Sequence, residues 1–452
     1  MKTKTAAMIG LAAVLAYGWF SFGSDTSTMI EETMDYVKAG DEKMEKELYQ
    51  EAVLYYQKAL EMDHTKNIQD KMLQAQEKFV DTGESKGAYG TYVSMLTDAK
   101  DSFVKETKYW EKLMQTYMEA DDLENALEVY RDSQDKITPT EYMHDAYKQI
   151  RSSYSLSSNH YELYKESDRG YISAGYENNW ILIAESGESV ADTEYMKLGN
   201  IGENDYFLYE TFEGKTGFRD TAGIKRGIVN GNYDEFGTYS EGYCPVRMGE
   251  SWGYIDLDGT ILIDGLKKAG CFQGGYAAVE TSDGKWGLLD KSGKITNLDV
   301  DEIRVDSRGK FYSDEVVIVK KGDDYCFYDT SFSSKNDFKC KDIAEHSYAM
   351  AYMDDKGKWG YVSPDGEILI EPKYEQAKSF HNGYAAVCKD GKWGYINQSQ
   401  EEIVPCRFFD CGSVYSSGTA MVSDQSGLYC MMKFDYPEEL GFEKGASDAS
   451  MF

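Results

Sequence analysis

The chain has 452 residues, with 79 Asp and Glu against 48 Lys and Arg, and a net charge of −31. That length accommodates more than one domain. Carboxylates in such surplus, spread along the chain, exclude a partnership with nucleic acid or direct docking on anionic lipid headgroups; they favour solubility, basic partner surfaces or divalent cations.

The first elements are a short basic end and an apolar run. Lys2 and Lys4 lie in segment 1–5, and residues 6–22, AAMIGLAAVLAYGWFSF, carry no charge. The run is at the lower edge of what spans a bilayer, and Tyr17, Trp19, Phe20 and Phe22 crowd its far end, where interfacial aromatics belong. It predicts a single-pass signal anchor at 6–22, with the N-terminus in the cytoplasm and the bulk of the chain outside the cell membrane. The alternative is secretion after cleavage near Ala16-Tyr17-Gly18. No Cys follows the run, so a lipoprotein anchor is not expected.

From 28 to 155 the apolar period is helical. Ala52, Tyr56 and Ala59 share one helix face, as do Met72, Ala75 and Phe79, then Ala88 and Tyr92, then Trp110, Leu113, Met114 and Tyr117, and finally Ala126 and Tyr130. Ala52, Ala88 and Ala126 are 36 and 38 residues apart, and Pro139 follows the third unit. This segment resembles tetratricopeptide repeats, in which small residues let paired helices approach. The alternative is an ordinary helical bundle. The resemblance implies a concave groove for a peptide or partner helix, with Glu111, Gln115 and Met118 facing it.

The chain then changes period. Trp-Gly steps end at Gly253, Gly287, Gly360 and Gly394, and fainter copies fall at Gly217, Cys326 and Gly427, giving intervals of 36, 34, 39, 34, 34 and 33 residues. A further, eroded unit lies near Trp180. Each unit reads as an alternating strand such as YAAV, a turn such as KDGK, a second strand such as WGYI, another turn such as SPDG, and a third strand such as EILIEP. The expected unit is a three-strand meander with room for a short fourth. A buried Trp removes roughly 200 Å² from water, about 5 kcal/mol, so Trp252, Trp286, Trp359 and Trp393 are expected as core, and Gly253, Gly287, Gly360 and Gly394 as points of close backbone approach.

GYAAVCKDGKWGYI, with IEPKYEQAKSF before it, resembles the bacterial WG-repeat family. The departures are Thr216 and Ser426 in place of Trp, and Tyr325-Cys326 in place of a whole Trp-Gly pair; those units are expected to pack less well. The resemblance implies a β-repeat domain, assigned to 160–432, with a tail at 433–452. Ring closure removes exposed strand edges, so a propeller-like ring is expected, and an open array of meanders is the alternative. The fold class is thus multidomain, α then all-β.

Chemistry-bearing motifs are sparse. Gly249 to Gly253 fits G-x-S-x-G, but Ser251 stands in a hairpin, where no helix follows. DLDG at 256–259 opens like a calcium loop, yet its twelfth position is Lys267. The five histidines lack metal-ligand spacing, and the eight cysteines, all in the β-repeats, contain no C-x-x-C. Cys244 and Cys388 sit in small apolar core slots; Cys406 and Cys411 are the one pair near enough in sequence to consider bridging. No catalytic residue, cofactor or metal site is expected. These features predict a non-enzymatic envelope scaffold that binds protein partners, with an envelope glycan-binding module and a wall-polymer hydrolase as the competing classes.

Overall fold

The computed structural model describes residues 26–166, 169–176, 178–190 and 194–442, in two compact units divided between Ile150 and Arg151. The expected span at 6–22 lies outside the described residues, and no helix among the described residues is long and apolar enough to cross a membrane.

The first unit is built of helices α1 (Thr26–Glu45), α2 (Tyr49–Met62), α3 (Lys66–Thr82), α4 (Ala88–Ser102), α5 (Thr107–Glu119), α6 (Leu123–Ser133) and α7 (Glu141–Arg151). Short links turn the chain back after each helix, and each of the first five packs on its successor. The three spaced alanines are buried at 0, 3 and 0 % exposure, which keeps the contacts thin enough for the backbones to approach. Tyr130 on α6 joins α7, bonding His144 Nδ1 at 2.8 Å and stacking on Tyr147 at 4.2 Å. Lys100 is buried on α4; its ammonium sits between Asp101 and Asp132 and 4.4 Å from the Trp110 ring centre, so the charge is paired rather than stranded.

The second unit consists of eight antiparallel sheets in chain order. Blade one is 163–184, blade two 197–229, blade three 235–266, blade four 268–297, blade five 302–340, blade six 342–374, blade seven 376–408 and blade eight 410–434. Blade three shows the plan: Glu235–Phe236, Cys244–Met248, Ser251–Ile255 and Ile261–Leu266, each strand paired with the next. Blade eight borrows its fourth strand, Tyr154–Tyr161, which pairs with Leu428–Phe434. Tyr161 of that strand, Ile172, Ala174 and Ile183 of blade one, and Tyr415, Met421 and Met431 of blade eight share one buried cluster. The ring is therefore closed, as an eight-bladed β-propeller, and the open array does not occur.

Buried clusters fall between blades rather than within them. Every neighbouring pair shares one, and the repeat aromatics supply it. Trp180 faces the core between blades one and two, Trp286 that between four and five, and Trp393 that between seven and eight. Trp252 and Trp359 pack as partly buried side chains against the cores on their own forward sides. The glycine after the Trp answers a second demand. In blade seven Trp393 pairs with Phe408 but Tyr395 with Val404, so the outer strand bulges across Gly394. A Cβ there would lie 2.3 Å from the Val404 carbonyl oxygen, and one on Gly360 would lie 2.4 Å from that of Ile370.

Three details differ from the sequence reading. The closing strand begins at Tyr154, inside the stretch assigned to helices, and the last strand runs to Phe434, inside the expected tail. As an outer edge, YSLSSNHY buries only Tyr161, and its apolar alternation stops after Leu156. The Trp-Gly position of blade eight is Tyr429-Cys430, since Cys430 pairs with Val422 as Gly394 pairs with Val387; Gly427 is in the turn before it. All eight cysteines are free. Cys406 lies on the last strand of blade seven and Cys411 on the first strand of blade eight, and no bridge joins them.

Candidate functional site

The first strand of each blade lies toward the middle of the ring, and together these strands enclose a cavity of about 600 Å³. Its wall carries charge of both signs. Lys378 of blade seven bonds Asp410 of blade eight at 2.9 Å. Lys165 of blade one donates to the Leu198 carbonyl at 2.9 Å, and its ammonium lies 5.0 Å from the Trp180 ring centre; burial pulls its pKa below the ordinary lysine value. Glu166 accepts the Ser413 N–H at 3.0 Å. These bonds run from one blade to its neighbour, so the same groups line the cavity and fasten the ring.

A turn from blade five enters the cavity. Residues Val305 to Gly309 contribute to its lining, and Asp306 Oδ1 accepts the N–H groups of Arg308 and Lys310 at 3.0 and 2.8 Å, which fixes the turn. The Arg308 guanidinium closes on Asp306 at 2.9 Å. Asn200 of blade two, three blades away, donates to the Ser307 carbonyl at 3.1 Å, the Ser307 hydroxyl donates to Glu345 of blade six at 3.2 Å, and the Cys271 N–H of blade four donates to Gly309 at 2.7 Å. The turn thus ties four blades at the middle of the ring. Its sequence signal is the interval of 39 residues between Gly287 and Cys326, the longest of the series.

Next to the turn, His346 is 4 % exposed, and neither ring nitrogen has a hydrogen-bond partner among the described residues. Burial lowers its pKa to about 4, with Asp306 opposing and Arg308 and Arg304 assisting, so the ring is neutral at physiological pH.

The sequence-derived residues divide into three groups. Trp286 and Trp393 are 3 and 8 % exposed, whereas Trp252 and Trp359 are half-buried and Trp252 reaches the cavity wall. The ammonium of Lys268 lies over the Trp286 ring at 5.4 Å and that of Lys378 over Trp393 at 5.3 Å; in blade five, where Tyr325 replaces Trp, the Arg304 guanidinium takes the same post at 4.5 Å. Glu111, Gln115 and Met118 are half-buried on one face of α5, with Gln115 donating to Glu119 at 2.9 Å. Ser251 lies in a strand–turn–strand hairpin and its hydroxyl donates to the Met248 carbonyl at 3.4 Å. Asp256 spends Oδ1 on the N–H groups of Asp258 and Thr260, closing its turn; Asp290, Asp329 and Asp354 do the same in sister blades. The cavity residues Lys165, Asn200, Arg308 and Lys378 escape the repeat reading because they vary from blade to blade while the Trp-Gly step recurs.

The WG containing repeat model matches residues 252–286, 359–393 and 393–429. No curated protein sequence gives a match. Among solved structures, BamB from Moraxella catarrhalis is similar at 14% identity over 62% of this chain and 100% of its own, with a TM-score of 0.43. The computationally designed Ika8 protein is similar at 9% identity over 62% of this chain and 98% of its own, with a TM-score of 0.41, and the C-terminal WD40 domain of Sif2 gives the same values. With its indoles set between blades and its glycines under the bulged outer strands, the C-terminal unit of this chain carries WG containing repeats at these positions.

Proposed function

We propose that this protein is a non-enzymatic, membrane-anchored scaffold of the cell envelope, binding protein partners through the helical unit and the propeller. A WG-repeat propeller suggests a protein-interaction module. The observation that carries the reading is the use to which the recurring residues are put: the repeat aromatics lie in the contacts between blades, and the charged groups around the cavity are largely paired with one another. The turns and loops are the part of a propeller that partners reach. In the helical unit, the face of α5 bearing Glu111, Gln115 and Met118 is the proposed peptide groove, in the manner of tetratricopeptide repeats.

The test is crosslinking in intact cells, comparing the full chain with a deletion of 28–150, which spares the closing strand at Tyr154. Loss of a defined set of partners is expected; an identical set from both forms would eliminate the helical groove as a binding element. Protease added to whole cells should digest the chain beyond the apolar run, and full protection would refute the topology.

A further inference from the structure

Three metal-type donors meet where the ring closes. His160 lies on the closing strand, Asp424 near the end of Thr419–Gln425, and Cys430 on Leu428–Phe434; one ligand atom of each falls within 4.8 Å of the other two. His160 and Asp424 are 264 residues apart in sequence, so no local motif announces them.

Two irregularities bring the donors together. The closing strand shifts register between Leu156 and His160, which sets His160 opposite Cys430. The blade-eight hairpin shifts between Val422 and Gln425, where Asp424 sits. The equivalent hairpins of the other seven blades pair without a shift. A bulge re-aims a side chain, and in the one bulged hairpin of the eight a carboxylate is turned toward a His and a Cys. Cys430 also fills the slot that is Gly253, Gly287, Gly360 and Gly394 elsewhere, so a thiol stands where most blades have no side chain.

Counting hydrogens narrows what joins them. His160 Nδ1 lies 3.1 Å from the Ser158 carbonyl oxygen, which only accepts, so Nδ1 carries a hydrogen. In the neutral ring Nε2 is then a bare lone pair, 3.1 Å from Asp424 Oδ1, a second acceptor. A proton or a metal ion placed between the two satisfies both. The Cys430 thiol also bonds the Asp424 side chain, so protons alone can join the three groups; what points to zinc is the gathering of one N, one O and one S donor, a ligand set suited to that ion. Tetrahedral zinc, with bonds of about 2.0–2.3 Å, sets its ligand atoms roughly 3.3–3.7 Å apart, within a small side-chain adjustment of the spacing here. An Nδ1–H held by a backbone carbonyl is also the arrangement that presents Nε2 to a metal.

We infer that His160 Nε2, Asp424 Oδ1 and Cys430 Sγ form a zinc site, with water as fourth ligand, that clasps the two ends of the ring. His160 and Asp424 are each 24 % exposed, so water has access on their side, while Cys430 is buried at 0 %. On binding, zinc replaces the thiol hydrogen, which leaves as a proton to solvent.

The test uses the purified full chain stripped with a chelator, titrated with Zn²⁺ against a chromophoric competitor and separately with Co²⁺. One zinc per chain is expected, together with a thiolate-to-cobalt charge-transfer band in the near ultraviolet and a Tm raised by about 5 °C at saturating zinc. Cys430→Ser should abolish the band and weaken zinc binding by well over the ~10–100-fold that loss of a supporting hydrogen bond costs. Cys388→Ser, at another buried thiol, should change neither. Absence of the band, its persistence in Cys430→Ser, or a zinc affinity for Cys430→Ser within about twofold of the parent would overturn the site and leave His160 and Asp424 as a plain ion pair. If Cys430→Ser does not fold, Asp424→Asn keeps the thiol, and an unchanged zinc affinity in that variant would refute the proposal equally.

Discussion

Replacing Gly394 with Ala sets a methyl carbon 2.3 Å from the Val404 carbonyl oxygen, a backbone atom that yields only if the outer-strand bulge gives way. Overpacking of this kind costs about 1–3 kcal/mol or more, so G394A should lower the denaturant midpoint measurably, and by more than an alanine at Gly90 on α4, where nothing lies within 4 Å and the backbone is helical. Trp393→Ala removes a large side chain that is 8 % exposed and is expected to cost about 3–5 kcal/mol. His346 makes a pH prediction. Its folded pKa, about 4, is depressed below the unfolded value, so its contribution is complete above about pH 6.5 and is lost as pH falls toward 4, on the order of 3 kcal/mol in all. Equilibrium unfolding of His346→Gln between pH 7 and pH 4.5 (roughly the span between the two pKa values) should be flatter than that of the parent; equal slopes would mean that the ring is solvated or partnered.

Among elements, the closing strand and the central turn join parts of the ring that are distant in sequence. A chain starting at Glu162 would leave Leu428–Phe434 as a bare edge and remove Tyr161 from the core between blades eight and one. Unpaired edges recruit other chains, so light scattering should find dimers or aggregates where the full ring is not so associated. The turn at 305–309 joins blades that do not touch through their sheets. Asn200→Ala removes the cross-ring bond to Ser307, with an expected cost of about 1 kcal/mol and faster hydrogen exchange of the turn, Cys271 included.

At the scale of the whole molecule, a net charge of −31 draws basic surfaces from a distance, and salt screens that attraction beyond a Debye length of about 8 Å at physiological ionic strength. If the partners are basic, their association rate should fall steeply as salt rises while dissociation changes little, a split that stopped-flow or surface-binding kinetics would read.

Periodicity alone determined the β-repeats, their spacing and the positions that became the core between blades, because the indole that most units carry has to be covered by the next unit wherever the chain goes. The glycine beside it was legible for the same local reason, a carbonyl oxygen pressed onto its Cα. Tertiary structure decided what involves residues far apart. The strand at Tyr154 is recognisable only once Leu428–Phe434 lies beside it, the blade-eight Trp-Gly position moves from Gly427 to Tyr429-Cys430 once pairing is known, and the central turn shows in sequence merely as an overlong interval. A repeat sequence records the contacts each unit makes with its neighbours; closure, and the chemistry at the seam and the centre of the ring, depend on groups that meet only after the last blade is in place.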